Sequence, residues 1–269
     1  MKNTIACILI ILLVMVLVLP GCSQNDSDGH GADNETLFQV STLNALMLGD
    51  YDGLITVDKL LQSGNTGLGT FDTLDGEMIV LDGIVYQAKA DGSVTKPDGS
   101  VTVPFAAVTH FKPDTSFKLE NISDIEAFKS ALTDTVTENP NIFYMATVTG
   151  DFDSVHVRSV FAQQKPYKPL AEVAESQKEF VYENISGTLV ALYCPDYVSG
   201  INLHGWHIHF ISSDGSKGGH VLDAAVESAE AQIDITSAYK IVLPETQSFA
   251  SLSLADDMQS AAAKVEAKQ

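Results

Sequence analysis

The sequence predicts a strand-rich, mixed α/β fold with at least one large sheet. Short apolar segments bounded by turn residues recur along the chain, and several of them alternate apolar with polar side chains, as strands do. Segments with helical spacing are fewer. Because 45% of the residues are hydrophobic and only 19% are charged, the chain has enough apolar surface for a substantial core.

The N-terminal half combines two short helices with a hairpin. Residues 38–48 have the apolar spacing of a helix, and Thr56 is placed to cap a second one. Residues 78–81 and 84–87 are predicted to pair as strands, because the Asp-Gly step between them favours a tight turn. Glu77 opens the first of these strands. It is either a solvated strand end or a ligand or proton carrier that faces a pocket.

The C-terminal half is predicted to be mostly strand. The capping-box pattern that begins at Ser123 predicts a helix to about residue 135, and residues 174–182 also have helical spacing. The predicted strands are 105–111, 142–149, 154–161, 188–193, 203–211 and 220–223, with further strand within 231–243.

Arg158 lies in the middle of a predicted strand and is the only arginine in the chain. Its guanidinium offers a planar pair of donors that lysine cannot reproduce. Because lysine supplies all the other Lys and Arg positions, this single arginine indicates a special role, either the recognition of a carboxylate or the stabilisation of an anion. The alternative is an ion pair with an acidic side chain at the surface.

Three histidines are predicted to meet at one point. His207 and His209 alternate with apolar residues, so both imidazoles project from the same face of a strand. The Ser213-Asp214-Gly215-Ser216 turn would return the chain and bring His220 beside them. Three imidazoles are a common set of protein ligands for a catalytic zinc, and other divalent metals also accept them. His204 would face the opposite side and is not expected to be a ligand.

The first residues predict an address outside the cytoplasm. Residues 1–21 combine Lys2 with a long apolar run and end in a small residue, which is typical of a secretory signal peptide. Gly21-Cys22 resembles a lipoprotein cleavage site, so the thiol of Cys22 is expected to be acylated. Residues 22–36 are polar and acidic and are expected to form a flexible tether. The mature protein would be secreted or lipid-anchored on the outer face of the cell membrane.

The formal net charge of −20 argues against nucleic acid as a partner, because such a surface repels polyanions. The expected partner is a small molecule, and contact with a membrane is expected only through the N-terminal lipid.

Several motifs together resemble the acetolactate decarboxylase family from about Phe38 to the C-terminus. They are the segment 39–46 (QVSTLNAL), the stretch 67–87, Arg158-Ser159-Val160 with the segment 165–170 (KPYKPL), and Gly205–His209 with Gly218-Gly219-His220. This resemblance implies one catalytic unit at 37–269 with two subdomains that meet near residues 170–190. It also implies a homodimer and a smaller, barrel-like C-terminal region that carries the histidines.

The resemblance further implies the chemistry and the site. His207, His209 and His220 would hold Zn²⁺, and Glu77, Arg158, Thr70 and Glu266 would be the catalytic residues around it. The enzyme would be a carboxy-lyase that converts 2-acetolactate, a β-keto acid, to acetoin without oxidation. The metal would act as a Lewis acid for an enediolate intermediate.

Two other functions are compatible with part of the pattern. A cupin-like metal oxygenase shares the His-x-His strand, but usually has a glutamate a few residues later, and residues 210–219 contain none. A non-enzymatic, extracytoplasmic metal-binding lipoprotein would be expected to have a histidine-rich loop, whereas the tether contains only His30.

Overall fold

The computed structural model describes residues 35–136, 138–256, 258, 261, 262 and 265. Their first half contains β1 (Thr36–Val40), α1 (Leu43–Met47), β2 (Ile55–Thr56), α2 (Val57–Leu60), β3 (Thr66–Thr70), β4 (Glu77–Leu81), β5 (Ile84–Ala88), β6 (Val94–Thr95), β7 (Thr102–Val103) and β8 (Ala106–Thr109). The second half contains β9 (Thr115–Ile122), α3 (Ile125–Val136), β10 (Phe143–Ser159), α4 (Leu170–Ala174), β11 (Lys178–Cys194), β12 (Gly205–Ser212), β13 (Gly218–Thr236), β14 (Ala238–Val242) and α5 (Gln247–Ala250). The predicted strand-rich, mixed α/β class is confirmed.

The first sheet has seven strands in the order β14-β1-β8-β3-β4-β5-β6. Its pairs are antiparallel except for β1 with β14, which run parallel, so the sheet is mixed. Strand β14 follows all the strands of the second sheet in sequence and returns the chain to the first sheet. Strands β2 and β7 form a separate two-stranded pair.

The second sheet is smaller and closes on itself. Strands β10, β11, β12 and β13 pair in that order, β13 pairs back onto β10, and β9 adds to β13. This is the predicted barrel-like C-terminal region. Its inner face packs with α3 around buried side chains such as Phe128, Phe152 and Phe210. A second apolar cluster includes Leu37 and Ile79 of the first sheet and Val190 and Ile211 of the second, so the two sheets pack together.

Four local predictions were wrong. Residues 38–48 are not one helix. Residues 38–40 belong to β1, which pairs with β8 and β14. Ser41, with φ of 57°, then turns the chain into α1. Residues 174–182 do not form a helix, since α4 ends at Ala174 and from Lys178 onward the chain pairs with β10. Tertiary pairing outweighs helix propensity in both segments. Asp124, and not Ser123, caps α3 through a bond from Ala127 N to its Oδ1 at 2.9 Å.

The fourth error concerns residues 142–149 and 154–161, which were predicted as two separate strands but fall largely within one continuous strand, β10; Gly150 lies inside that strand. It pairs with Gly187 on one side and with Ala229 on the other. A Cβ atom at this position would lie 2.2 Å from Ser228 O, so a side chain would clash with the neighbouring strand. The glycine therefore permits close approach of the strands and does not mark a turn.

No helix in the described part of the chain is long and apolar enough to cross a membrane.

Candidate metal centre and active site

The three predicted histidines lie together on the outer face of the barrel, where it packs against the first sheet. On β12, Trp206 and Ile208 point into the barrel core, so His207 and His209 point outward. The turn after β12 returns the chain as β13 and places His220 directly opposite His209 in the strand register. Gly219, with φ of 150°, allows this crowding, because a Cβ there would lie 2.7 Å from Arg158 O.

The imidazoles are close enough to share one ion. Their ring centroids are 4.9 Å apart for His207 and His209, 5.0 Å for His207 and His220, and 5.3 Å for His209 and His220. One nitrogen from each ring lies within 4.8 Å of the others. His207 Nε2 and His220 Nδ1 are 3.1 Å apart, at hydrogen-bond distance. This is the only cluster of three metal-binding side chains among the described residues.

His209 has the features of a metal ligand. Its ring is buried, and Nδ1 lies 2.8 Å from the carbonyl oxygen of Met78, an arrangement that fixes the ring and leaves Nε2 as the coordinating atom. Nε2 is buried and makes no hydrogen bond. Burial, reinforced by His207, His220 and Arg158, holds the pKa of His209 well below its usual range, so the ring is neutral. A buried, neutral and oriented imidazole fits a divalent metal, and these three residues could hold one.

Arg158 and Glu77 form a buried ion pair beside the histidines. Arg158 Nη1 donates to Glu77 Oε1 at 2.9 Å, and the two side chains are only 6% and 9% exposed. Glu77 Oε2 lies 3.7 Å from His209 Nε2. Arg158 is also opposite His220 in the register of β10 with β13. The surface ion pair that was the alternative for Arg158 is therefore wrong, and so is the solvated strand end for Glu77.

Thr70 lies next to Glu77, because the two residues are register partners on β3 and β4. Its hydroxyl donates to Gly76 O at 2.7 Å, which fixes the side chain at the edge of the site. Thr70, Glu77, Arg158 and the three histidines all line one cleft. Six of the seven residues that were predicted for the site are thus found in one place.

The apolar wall of this cleft was not predicted. It consists of side chains from five separate segments, namely Leu43, Leu46, Leu74, Phe105, Val160 and Leu170. Leu170 belonged to a motif noticed in the sequence, but nothing in its spacing indicated a cleft. The role of Met78 O in orienting His209 was also missed, since it depends on how the two sheets pack.

Two predicted residues, Glu266 and Cys22, lie outside the described residues. The side chain of His204 is 47% exposed, and its Nδ1 lies 3.5 Å from Asp196 Oδ1, so it differs from the buried cleft residues in both exposure and partner. It is not part of the histidine cluster, as expected.

Comparison with known proteins identifies the family. The family model for alpha-acetolactate decarboxylase matches residues 37–256. The chain belongs to the alpha-acetolactate decarboxylase family. Its relatives include the alpha-acetolactate decarboxylase of Methanosarcina mazei, 44% identical over 252 residues, with 93% of this chain and 84% of that protein covered. The alpha-acetolactate decarboxylase of Methylococcus capsulatus is 41% identical, with coverages of 88% and 90%.

The fold agrees with that of a solved member of the family. The crystal structure of alpha-acetolactate decarboxylase from Bacillus subtilis strain 168 matches with a TM-score of 0.84 at 33% identity. The match covers 87% of this chain and 100% of that one. Membership of the alpha-acetolactate decarboxylase family makes this chain an enzyme of the decarboxylase type, and it favours neither the oxygenase nor the non-enzymatic alternative.

Proposed function

We propose that this protein decarboxylates 2-acetolactate to acetoin with the help of one divalent metal ion, and that this ion is zinc. The observation that carries the proposal is the histidine cluster beside a buried Arg158–Glu77 pair in a chain of this family. The names of the relatives supply the substrate class.

His207, His209 and His220 would hold the metal through one nitrogen each. A bound divalent ion would act as a Lewis acid that draws electron density from the substrate's ketone and hydroxyl oxygens while carbon dioxide leaves. Three neutral imidazoles suit this role, because they leave most of the ion's positive charge available to the substrate.

Arg158 is proposed to interact with the negative charge of the substrate. Its bond to Glu77 fixes the guanidinium before substrate arrives, so little reorganisation is needed during the reaction. A fixed guanidinium can orient the carboxylate that is lost, or offset charge as it moves onto oxygen. Both effects are strong in a cleft with apolar walls, where water screens charge poorly.

A proton must replace the lost carboxylate, and water would supply it; the Glu77 carboxylate is suitably placed to accept this proton and pass it to the substrate carbon. The Glu77 carboxylate lies between Arg158 and His209, 2.9 Å from the first and 3.7 Å from the second. Delivery from one fixed side would give acetoin of one hand. Glu266 is proposed as a second carboxylate of the site on the basis of the family resemblance, and Thr70 as part of its polar lining.

The proposal also includes the oligomeric state and the cellular location of the protein. We infer a homodimer from the family resemblance, and a location outside the cytoplasm from residues 1–21. Acylation of Cys22 would hold the protein at the outer face of the cell membrane.

The test is to supply purified protein, loaded with zinc, with 2-acetolactate and to follow acetoin and carbon dioxide. We expect one acetoin and one carbon dioxide per substrate, with no consumption of oxygen. Uptake of oxygen would indicate an oxygenase instead, and absence of acetoin from the metal-loaded protein would contradict the proposed function.

A further inference from the structure

The C-terminal segment, defined here as the described residues among 246–265 (246–256, 258, 261, 262 and 265), packs against the wall of the cleft. Ala262 and Val265 are buried, and they belong to the same apolar cluster as Leu46 and Leu170. Leu46 and Leu170 also line the cleft. The cleft and the C-terminal segment therefore share one wall, and movement of the segment would expose the back of that wall to water.

Asn44 fastens this segment to α1. The residue is only 5% exposed, although asparagine is usually found at the surface. Its Nδ2 donates to two backbone carbonyl oxygens of the C-terminal segment, Leu254 O at 3.0 Å and Asp256 O at 3.1 Å. Both amide hydrogens of one side chain thus bind two points that lie more than 200 residues away in sequence.

The position of Asn44 links this attachment to the cleft. It lies in α1 between Leu43 and Leu46, which both line the cleft. The backbone of α1 is held in turn, since Leu43 N donates to Ile201 O at 2.8 Å and Asn44 N donates to Gly200 O at 3.0 Å. A fixed helix therefore presents leucines to the substrate on one side and an amide to the C-terminal segment on another.

We propose that Asn44 is a positioning residue for the decarboxylation, acting by holding the C-terminal segment against the apolar wall of the cleft. This inference rests on the proposed function. With the segment in place the wall stays dry, and the charges of Arg158 and Glu77 act on substrate at full strength. Release of the segment would admit water and loosen Leu46, which would weaken catalysis while the three histidines, Arg158 and Glu77 keep their places.

The experiment compares Asn44→Ala and Asn44→Asp with the wild type, all loaded with zinc. Asn44→Asp keeps the shape of the side chain but replaces the two N–H donors with oxygen. We expect faster hydrogen exchange throughout residues 246–256 in both variants, and a roughly tenfold loss in kcat/KM at unchanged zinc content. Asn65→Ala is the matched control, since Asn65 is another asparagine whose side chain holds backbone, its Oδ1 accepting from Phe111 N at 2.8 Å on β8's side of the first sheet.

A second variant separates positioning from general stability. Val265→Ala weakens the same attachment from the other side, so its kinetic effect and that of Asn44→Ala should combine to less than the product of the two. If Asn44 matters only for stability, the Asn44 variants will melt earlier but keep wild-type kcat/KM for each zinc-loaded site. That result would overturn the proposal.

Unchanged exchange at residues 246–256 would also overturn it, whatever the kinetics. If the wild type itself forms no acetoin, the proposed function fails, while the exchange measurement still decides whether Asn44 holds the C-terminal segment.

Discussion

Arg158 Nη1 lies 2.9 Å from Glu77 Oε1, and both side chains are almost completely buried beside three histidines. Burying two opposite charges is costly, because each loses its hydration, and one good hydrogen bond seldom repays that cost in stability. A pair of this kind at the lining of a cleft is better explained by function than by folding. The composition of the chain strengthens the point: 14 of its 15 Lys and Arg residues are lysine, and a lysine could also have supplied the charge.

The first prediction tests whether the planar shape of the Arg158 guanidinium, and not only its charge, is needed for turnover. Arg158→Lys keeps the charge but loses the planar pair of donors, so we expect turnover to fall about thirty- to a thousand-fold, corresponding to about 2–4 kcal/mol in the transition state. Zinc content should not change, because Arg158 is not among the predicted ligands. Turnover, zinc content and melting temperature should be measured on one preparation. Near-normal turnover in the lysine variant would exclude the catalytic role of Arg158.

The second prediction concerns Asp234, a buried acid that has no proposed part in catalysis. It is a register partner of Met145, only 2% exposed, and its Oδ2 makes no hydrogen bond. Burial, with smaller contributions from Asp114 and Glu35, raises the pKa of Asp234 to about 7. Between the ordinary pKa of 3.8 and this value the folded protein binds more protons than the unfolded chain, so the free energy of unfolding falls as the pH rises.

Asp234→Asn removes this ionisation. The variant should therefore gain stability relative to the wild type as the pH is raised from 5 to 8, seen as a growing difference in melting temperature. Asp214→Asn is the control, because hydrogen bonds from Ser212 and Ser216 lower the pKa of Asp214 to about 2, so this group is ionised in the folded and the unfolded chain throughout pH 5 to 8 and its removal should give a difference from wild type that does not change with pH in this range. A difference between Asp234→Asn and wild type that does not depend on pH would refute the ionisation of Asp234 in this range.

The third prediction concerns the address of the protein. If the thiol of Cys22 carries the lipid, Cys22→Ser should release the protein from membranes into the soluble fraction with its activity intact. Fractionation of cells that express each form, with acetoin formation assayed in both fractions, is the measurement. Membrane association that persists in the serine variant after signal cleavage would exclude acylation of Cys22.

Much of the site could be predicted from sequence because it depends on local periodicity. Alternation on one strand placed His207 and His209 on the same face, and a turn composition placed His220 beside them. The apolar wall could not be predicted in this way. Leu43, Phe105 and Leu170 come from separate segments, and only the packing of the two sheets brings them together.

The errors in the fold have the same origin. Residues 178–182 have helical spacing, yet they pair with β10, because a long partner strand offers a continuous ladder of backbone hydrogen bonds, whereas a short isolated helix is only marginally stable. The spacing within one segment contains no information about such a partner.

His207, His209 and His220 are proposed to hold the metal on which decarboxylation depends. The most direct measurement is acetoin formation by the chelated protein during titration with zinc, for the wild type and for His209→Ala. We predict that wild-type activity returns in proportion to bound zinc and saturates at one ion per chain. The variant should bind little zinc and show at least a hundredfold lower activity, roughly the loss expected from disrupting a metal's ligand shell. Full activity of the chelated wild type, or full zinc occupancy in His209→Ala, would contradict the account.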